Sequence, residues 1–411
     1  MAVMKRQHFV PKHILRRFSF DAAQKTLRVF HIPSSRLIER ASLKEQCYGD
    51  YFYGKDLKIE SSLATIEARQ AAVIDRLTST HDIFSLNITD IPMLLALQVS
   101  RTQQACHEHN QRMEPLFRLA LHGRVEEEVL RKVKIEALGI VNATVSAALT
   151  LTPMLYDLRQ VLIINRTGTP FVISDHPATW TNWFCRFNYP HHSGFGFSRS
   201  GLQLMMPISP SLAVGMFDVG VYDVQDTNGQ IELRHEKHVY AINTLQWLQA
   251  DKVLYCPPGF SEADAKKLAQ SAERTTKRSV FTRFEGIGAT GYYKKTSKDE
   301  FQAPSDGVVR EIVHIATTGI DRDIRLPGLK MKQKPFRKYH DDRSLSGPTR
   351  DPVWSEMVTD FADHVKAKRL NFGEFNNYAA EHPFANDTGR IIKAELKRWH
   401  RRATSSAQEA D

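Results

Sequence analysis

The hydrophobic period of this chain changes part-way along its length, and that change limits the folds open to it. From about residue 61 to 150, apolar residues recur at helical spacing, which predicts helices over 61–78, 90–112 and 113–150. From about 156 to 217, short apolar runs separated by turn residues follow instead. Helices grouped before strands are typical of an α+β fold. We therefore predict a helical N-terminal half packed with a small, mostly antiparallel sheet.

Turn residues place the individual strands. Thr26–Ile32 alternates apolar with polar residues and stops at Pro33, which is typical of an edge strand. A hairpin is predicted within 156–174, its two strands joined by a glycine-containing turn. Two further strands are predicted within 202–217, joined by a Ser-Pro-Ser turn, and helical spacing returns over 238–250.

Length and composition set the domain organisation. A chain of 411 residues exceeds one ordinary hydrophobic core, and 42% hydrophobic with 25% charged residues is typical of a folded globular protein. Eight Lys or Arg and two Asp within 325–350 give that stretch a net charge of +6, out of +10 for the chain. We predict an α+β core over 1–320, a basic linker over 321–350 and a small helical appendage over 351–411.

The cysteines and the apolar runs indicate the compartment. Cys47, Cys106, Cys185 and Cys256 lie far apart with no C-x-x-C pair, which argues against a zinc ribbon or a disulfide framework. The basic residues near the N-terminus are not followed by an apolar leader segment. The longest apolar runs also fall far short of the ~20 residues that a membrane span requires. We therefore expect a cytoplasmic protein without a membrane partner.

Two polar residues fall on the apolar face of the second predicted helix. Helical spacing from Leu94 places Gln98 and Arg101 along the stripe that should be buried. An unpaired guanidinium there would cost several kcal/mol, so a carboxylate partner is expected. Glu67 lies on the buried edge of the preceding helix and is the natural candidate. Such a pair either fixes the register of two helices or lines a functional cleft.

Asp175 stands at the end of a predicted strand. It follows the apolar residues Phe171–Ile173 and comes two residues before Pro177, a position suited to facing a cleft. It could hold a divalent metal together with Glu67, act as a general base, or begin an Asx-turn. Mg²⁺ or Mn²⁺ would be the metal that such carboxylates bind.

Several short motifs, in a particular order and spacing, resemble a bacterial family. The motifs are His8-Phe-Val-Pro11 with Leu15 and Phe18, Tyr53, Ile66-Glu67, Gln98-x-x-Arg101-Thr102, Ile173-Ser174-Asp175-x-Pro177, Ser209-Pro210, and Ile242-Asn243 before Ala250. The family is domain of unknown function 4238, and the resemblance covers roughly residues 5–290. His176 departs from the pattern, since an Asn is more typical there. The resemblance implies no established reaction, but it places His8 and Gln98 among the candidate site residues.

Basic residues near the C-terminus form a second candidate site. Aromatic and methionine side chains are interleaved among them, a pattern found in segments that bind nucleic acid or an acidic protein surface. A solvated basic linker without a partner would have the same composition. The candidate residues are Lys330, Lys332, Lys334, Arg337, Lys338, Lys397, Arg398 and Arg401.

Three functional hypotheses remain open from the sequence. If His8, Glu67 and Asp175 converge, the set suits a metal- or base-assisted phosphodiester hydrolase, nuclease-like, with Arg101 clamping the phosphate. The type of family suggests a bacterial toxin or phage-defence context. A second hypothesis is a non-enzymatic nucleic-acid-binding or adaptor protein that uses the basic linker and tail. In a third, the charged residues form only a structural network in the core.

Overall fold

A computed structural model describes most of the chain. The described residues are 5–55, 57–121, 124–189, 194–273, 277–287, 292–295, 310–320, 326–333, 347–381 and 387–408.

Twelve α-helices lie within the described residues, and among them no helix combines the length and the apolar composition needed to cross a membrane. They are α1 Lys12–Arg16, α2 Lys58–Thr80, α3 Asp90–Ser100, α4 Gln103–Leu121, α5 Glu127–Lys132, α6 Ile140–Leu151, α7 Trp183–Asn188, α8 Glu236–Gln249, α9 Glu262–Glu273, α10 Pro352–Lys366, α11 Phe375–Glu381 and α12 Asp387–Gln408.

Sixteen strands accompany these helices in the same part of the chain. They are β1 Arg6–His8, β2 Thr26–His31, β3 Arg36–Ser42, β4 Tyr48–Asp50, β5 Arg159–Asn165, β6 Ile173–Ser174, β7 Thr179–Thr181, β8 Gln203–Pro207, β9 Leu212–Phe217, β10 Tyr222–Val224, β11 Gln230–Leu233, β12 Val253–Cys256, β13 Lys277–Ile287, β14 Tyr292–Lys295, β15 Arg310–Ile320 and β16 Leu329–Met331.

The strands form several small sheets that are mostly antiparallel, which confirms the predicted α+β class. The largest has the order β11-β5-β9-β8-β7, in which only the β11–β5 pair is parallel. A four-stranded antiparallel sheet has the order β3-β2-β12-β6. The remaining sheets pair β1 with β4, β10 with β16, and β14 and β15 with β13.

Strand β5 separates two hydrophobic cores, and its sequence explains how. Leu162 and Ile164 belong to the core that contains α1, α2 and α3, whereas Val161 and Ile163 belong to the core that packs against α8. Alternate residues of a strand point to opposite faces, so a strand covered on both faces needs a continuous apolar run. The run Val161–Ile164 meets that requirement.

Three local predictions were wrong in part. The predicted helix over 90–112 is broken: α3 ends at Ser100, and α4 begins at Gln103 after Thr102, whose hydroxyl accepts a hydrogen bond from Ala105 N as in an N-cap. The predicted helix over 113–150 is likewise divided among α4, α5 and α6. The strand that begins at Thr26 is not an edge strand, because β2 pairs with both β3 and β12. Pro33 lies beyond its end and removes no ladder hydrogen bond.

The predicted hairpin within 156–174 does not form. β5 lies in the five-stranded sheet, whereas β6 pairs with β12 in the four-stranded sheet. The backbone N–H groups of Phe171 and Val172 donate to Pro210 O and to Asn243 Oδ1, at 2.8 and 3.0 Å. The chain after the turn is therefore held by another loop and by α8. The other predicted strand pair, now β8 and β9, is confirmed, as is the helix predicted over 238–250.

The described parts of the predicted linker and appendage are packed against the rest of the protein. Leu326 and Leu329 are buried in the second core, and Arg350 forms a buried ion pair with Asp157, Nε to Oδ2 at 3.1 Å. On α12, Trp399 is 7% exposed and donates from Nε1 to Leu86 O at 2.7 Å. The predicted domain boundaries themselves stay a prediction.

Replacing Trp399 with alanine tests whether α12 is part of the main core. We expect Trp399→Ala to lower the free energy of unfolding by about 3–5 kcal/mol, because a buried indole is lost. Chemical denaturation with the exposed Lys397→Ala on the same helix as control measures this. If α12 were an independent appendage, the unfolding of the main core would be the same in both variants.

Candidate functional site

Arg101 lies at the centre of the candidate site and is 0% exposed. Its Nη2 donates to Glu67 Oε1 at 2.7 Å and to His8 O at 2.9 Å. Its Nε donates to the Tyr53 hydroxyl at 2.8 Å. The predicted Glu67–Arg101 pair is therefore present, and it joins α2 to the end of α3.

Local structure explains how these groups meet. Arg101 stands in the break between α3 and α4, so its side chain leaves the last turn of α3 toward β1. Gln7 holds β1 in place: its Oε1 accepts from Tyr53 N at 2.6 Å, and its Nε2 donates to Gly54 O at 2.9 Å. The N-terminal strand is thereby tied to the segment that supplies Tyr53.

Several buried polar atoms around Arg101 have no hydrogen-bond partner among the described residues. They are Arg101 Nη1, His8 Nε2, His13 Nε2 and Glu60 Oε2. After burial, which is the largest effect on the pKa of each group, the positive charge of Arg101 also acts on His8, His13 and Glu60, which places all three within electrostatic range of the guanidinium. We call His8, His13, Tyr53, Glu60, Glu67 and Arg101 the Arg101 cluster.

Both histidines of the cluster are neutral near pH 7. Burial, followed by the positive charge of Lys12, lowers the pKa of His8 to about 4. Burial, followed by the positive charge of Arg101, lowers the pKa of His13 to about 4. A neutral imidazole with an unoccupied ring nitrogen can accept a proton or a hydrogen bond.

Glu60 and Tyr53 are shifted toward their protonated forms. Burial raises the pKa of Glu60, and the nearby negative charge of Glu67 raises it further. Burial also raises the pKa of Tyr53 well above its ordinary value. Perturbed titratable groups gathered beside a buried cation are a recognised mark of functional sites, although structural ion-pair networks perturb pKa values too.

The members of the Arg101 cluster differ in how far they are exposed to solvent. Arg101 is 0% exposed, whereas the side chain of Glu67 is 28% exposed, and Lys12, His13 and Glu60 are partly buried. Solvent therefore reaches part of each of these side chains, but it does not reach Arg101.

Two buried glutamines lie three residues along the chain from the members of the charged pair, Gln70 from Glu67 and Gln98 from Arg101. Gln98 is 0% exposed and Gln70 is 3% exposed. Neither side chain makes a hydrogen bond to any residue that the structure describes. The prediction that Gln98 lies on a buried face is confirmed, and Gln70 is a residue that the sequence-based candidate set omitted.

Asp175 is held by a different part of the fold. Its carboxylate accepts hydrogen bonds from the backbone N–H groups of Asp251, Lys252 and Val253, at 2.9, 2.8 and 3.2 Å. No hydrogen bond or ion pair among the described residues joins it to Glu67 or Arg101. Asp175 thus fastens the segment before β12, and we do not include it in the Arg101 cluster.

The predicted metal ligands are not assembled into one site. Asp175 binds backbone N–H groups, and Glu67 binds Arg101. Within the described ranges, no group of three or more His, Cys, Asp or Glu side chains is arranged to hold a metal ion. All four cysteines lie within those ranges and are free and buried.

The predicted nucleic-acid-binding residues differ in their availability. Lys330, Lys397 and Arg401 are exposed. Lys332 is partly buried and donates from Nζ to Val219 O at 2.8 Å. Arg398 pairs with Asp226 and with Glu395, and its guanidinium lies over the ring of Phe84.

The other members of that set are not among the described residues. Lys334, Arg337 and Lys338 lie outside the described residues. Trp399, an aromatic residue interleaved among the basic residues of the C-terminal helix, packs edge-on against Phe84 in the core and is not available as a stacking surface.

Comparison with known proteins supports the family resemblance. A family model described as "Protein of unknown function (DUF4238)" matches residues 6–258, which is more than half of the chain. The chain belongs to this family. No curated protein and no solved structure gave a match.

The sequence contains partial signals for Glu60 and His13, the two members of the Arg101 cluster that the sequence analysis did not predict. Glu60 lies seven residues before Glu67, which is two helical turns along the same face of α2. His13 is the second residue of α1, which begins directly after the Pro11 that the family motif contains. Its proximity to Arg101 depends on how α1 packs, and no spacing in the sequence reveals that.

Asp175 gives a prediction on pH dependence. Burial raises its pKa from 3.8 to about 6, although the backbone N–H groups partly oppose the shift. Because the folded pKa lies above the unfolded one, the free energy of unfolding should fall as the pH rises from about 4 to about 6. Relative to Asp175→Asn, which cannot titrate, we expect the wild-type protein to lose about 3 kcal/mol across that window.

Urea denaturation of both proteins at several pH values measures this difference. Parallel pH profiles for the wild-type protein and Asp175→Asn would show that Asp175 keeps an ordinary pKa.

Proposed function

We propose that this family member is a phosphodiester hydrolase whose chemistry is assisted by a base in the Arg101 cluster. The observation that carries the proposal is the unpartnered Nη1 of a buried guanidinium beside two neutral imidazoles with unoccupied Nε2 atoms. Arginine binds phosphate oxygens through charge-assisted hydrogen bonds. The remaining donor on Arg101 is therefore suited to a phosphate oxygen.

A phosphate bound at Arg101 would raise the pKa of the nearby histidines. An anion near an imidazole favours the charged imidazolium and so raises the histidine pKa. From a starting value of about 4, such a rise moves the pKa of His8 or His13 toward the working pH, where general-base catalysis is most effective.

Each proton transfer of the proposed reaction has a suitable group. His8 accepts the proton of the attacking hydroxyl or water as the new phosphorus–oxygen bond forms. Glu60, with its raised pKa, supplies a proton to the leaving oxygen as the old bond breaks. Glu67 keeps the guanidinium of Arg101 aimed at the phosphate.

The proposal also includes a dependence on Mg²⁺ or Mn²⁺, a cytoplasmic location and a role in a toxin or phage-defence system. Metal and chelator conditions in a cleavage assay test the first of these.

Single substitutions test the hydrolase proposal. Purified protein is incubated with labelled single-stranded RNA and DNA in Mg²⁺, Mn²⁺ or EDTA. We expect cleavage by the wild-type protein, and a loss of about 100-fold or more in His8→Asn and in Glu60→Gln, because general acid–base groups contribute that much.

His31→Asn is the matched control, because His31 is not a member of the Arg101 cluster: it lies at the end of β2, and its Nδ1 bonds to the hydroxyl of Ser34. Thermal unfolding establishes that each variant is folded. Absence of cleavage by the folded wild-type protein under all conditions, or full activity in both site variants, would refute the proposal.

A non-enzymatic nucleic-acid-binding role is the second candidate, and it is favoured by the exposure of Lys330, Lys397 and Arg401. Because Trp399 anchors α12, deleting the C-terminal region would disturb the core. Changing these three residues to glutamine is the better test. We expect weaker DNA or RNA binding and a shallower salt dependence if they contact phosphates, with no change in His8→Asn.

A further inference from the structure

Gln98 and Gln70 are buried amides without a partner in the described structure. Gln98 is 0% exposed and Gln70 is 3% exposed, yet the Oε1 and Nε2 atoms of both are unbonded to any described residue. Buried polar groups in native proteins are almost always hydrogen-bonded, to the chain, to water or to a ligand. Their partners must therefore come from outside the described residues.

Both amides lie one helical turn from the charged pair. Gln70 follows Glu67 by three residues on α2, and Gln98 lies on α3, three residues before Arg101 at the C-cap of that helix. Residues three apart share a helix face. The amides therefore continue the Arg101 cluster between the two helices.

The chemistry of a carboxamide restricts what can satisfy it. It presents an acceptor oxygen beside an N–H donor. A phosphate offers acceptors alone, so it could pair with Nε2 and would leave Oε1 unbonded. The edge of a nucleobase presents a donor beside an acceptor, and amide side chains bind such edges with two hydrogen bonds.

We propose that the site takes an unpaired nucleotide, with its phosphate on Arg101 and the edge of its base on Gln98, and that Gln70 supports the same contact. This inference rests on the proposed hydrolase function and specifies its substrate class. Gln98 is fully buried, and a base that stays stacked in a duplex cannot reach a buried amide. Enzymes that take a base into a pocket act on single strands or on extruded bases.

Binding measurements separate the base contact from the phosphate contact. The ribonucleotide probes are adenosine and uridine 5′-monophosphate, and the deoxynucleotide probes are their 2′-deoxy forms and thymidine 5′-monophosphate. Ribose 5-phosphate, which has no base, is the reference. Titration calorimetry with the full-length protein is expected to show at least one nucleotide binding about 10-fold or more tightly than ribose 5-phosphate. A trinucleotide distinguishes a strand segment from a free nucleotide as the preferred form.

Gln98→Met keeps the length of the side chain and removes both polar atoms. We expect this variant to bind nucleotides only as tightly as it binds ribose 5-phosphate, with its affinity for ribose 5-phosphate unchanged. Gln70→Met is the second variant. Gln111→Met, on the exposed face of α4, is the control that should retain the nucleotide preference.

The outcomes separate this inference from the hydrolase proposal. Equal affinity of the wild-type protein for nucleotides and ribose 5-phosphate, or a retained preference in folded Gln98→Met, overturns the base contact even if the protein cleaves RNA or DNA. A nucleotide preference that Gln98→Met abolishes supports it even if no cleavage is found. If water alone satisfies the two amides, the wild-type protein is expected to bind nucleotides and ribose 5-phosphate equally well.

Discussion

The buried charge of Arg101 is the constraint on which the N-terminal half of this protein depends. A guanidinium removed from water is costly unless acceptors surround it. Here they are the carboxylate of Glu67, the carbonyl of His8 and the hydroxyl of Tyr53. These groups come from a helix, a strand and the segment after another strand, so one side chain fixes the relative positions of three parts of the chain.

The Arg101 cluster combines polar atoms that are hydrogen-bonded with polar atoms that are not. Nε and Nη2 of Arg101 are bonded, whereas Nη1 has no partner among the described residues, and the same holds for a ring nitrogen of both His8 and His13. A purely structural network would be expected to satisfy its own members, since a partly satisfied buried network is destabilising. The polar atoms without a partner therefore favour a site in which a ligand or water completes the hydrogen bonds.

The helical period and the cost of burying charge were sufficient to predict the Glu67–Arg101 pair, because both residues lie on faces that must be covered. The family was also recognisable from short motifs. The failed hairpin shows the limit of local signals. Its turn residues suit a hairpin, but the N–H groups of Phe171 and Val172 bind partners that are remote in sequence.

By itself, the sequence determined the α+β class and the residues that must be buried, because periodicity reports which face of a helix or strand is apolar. Only the tertiary structure decided which of those residues meet. It brought Glu60 and His13 to Arg101, assigned Asp175 to backbone N–H groups near β12, and buried Trp399 against Phe84. Contacts between elements depend on how distant segments pack, and spacing along one element carries no information about the surface that will cover it.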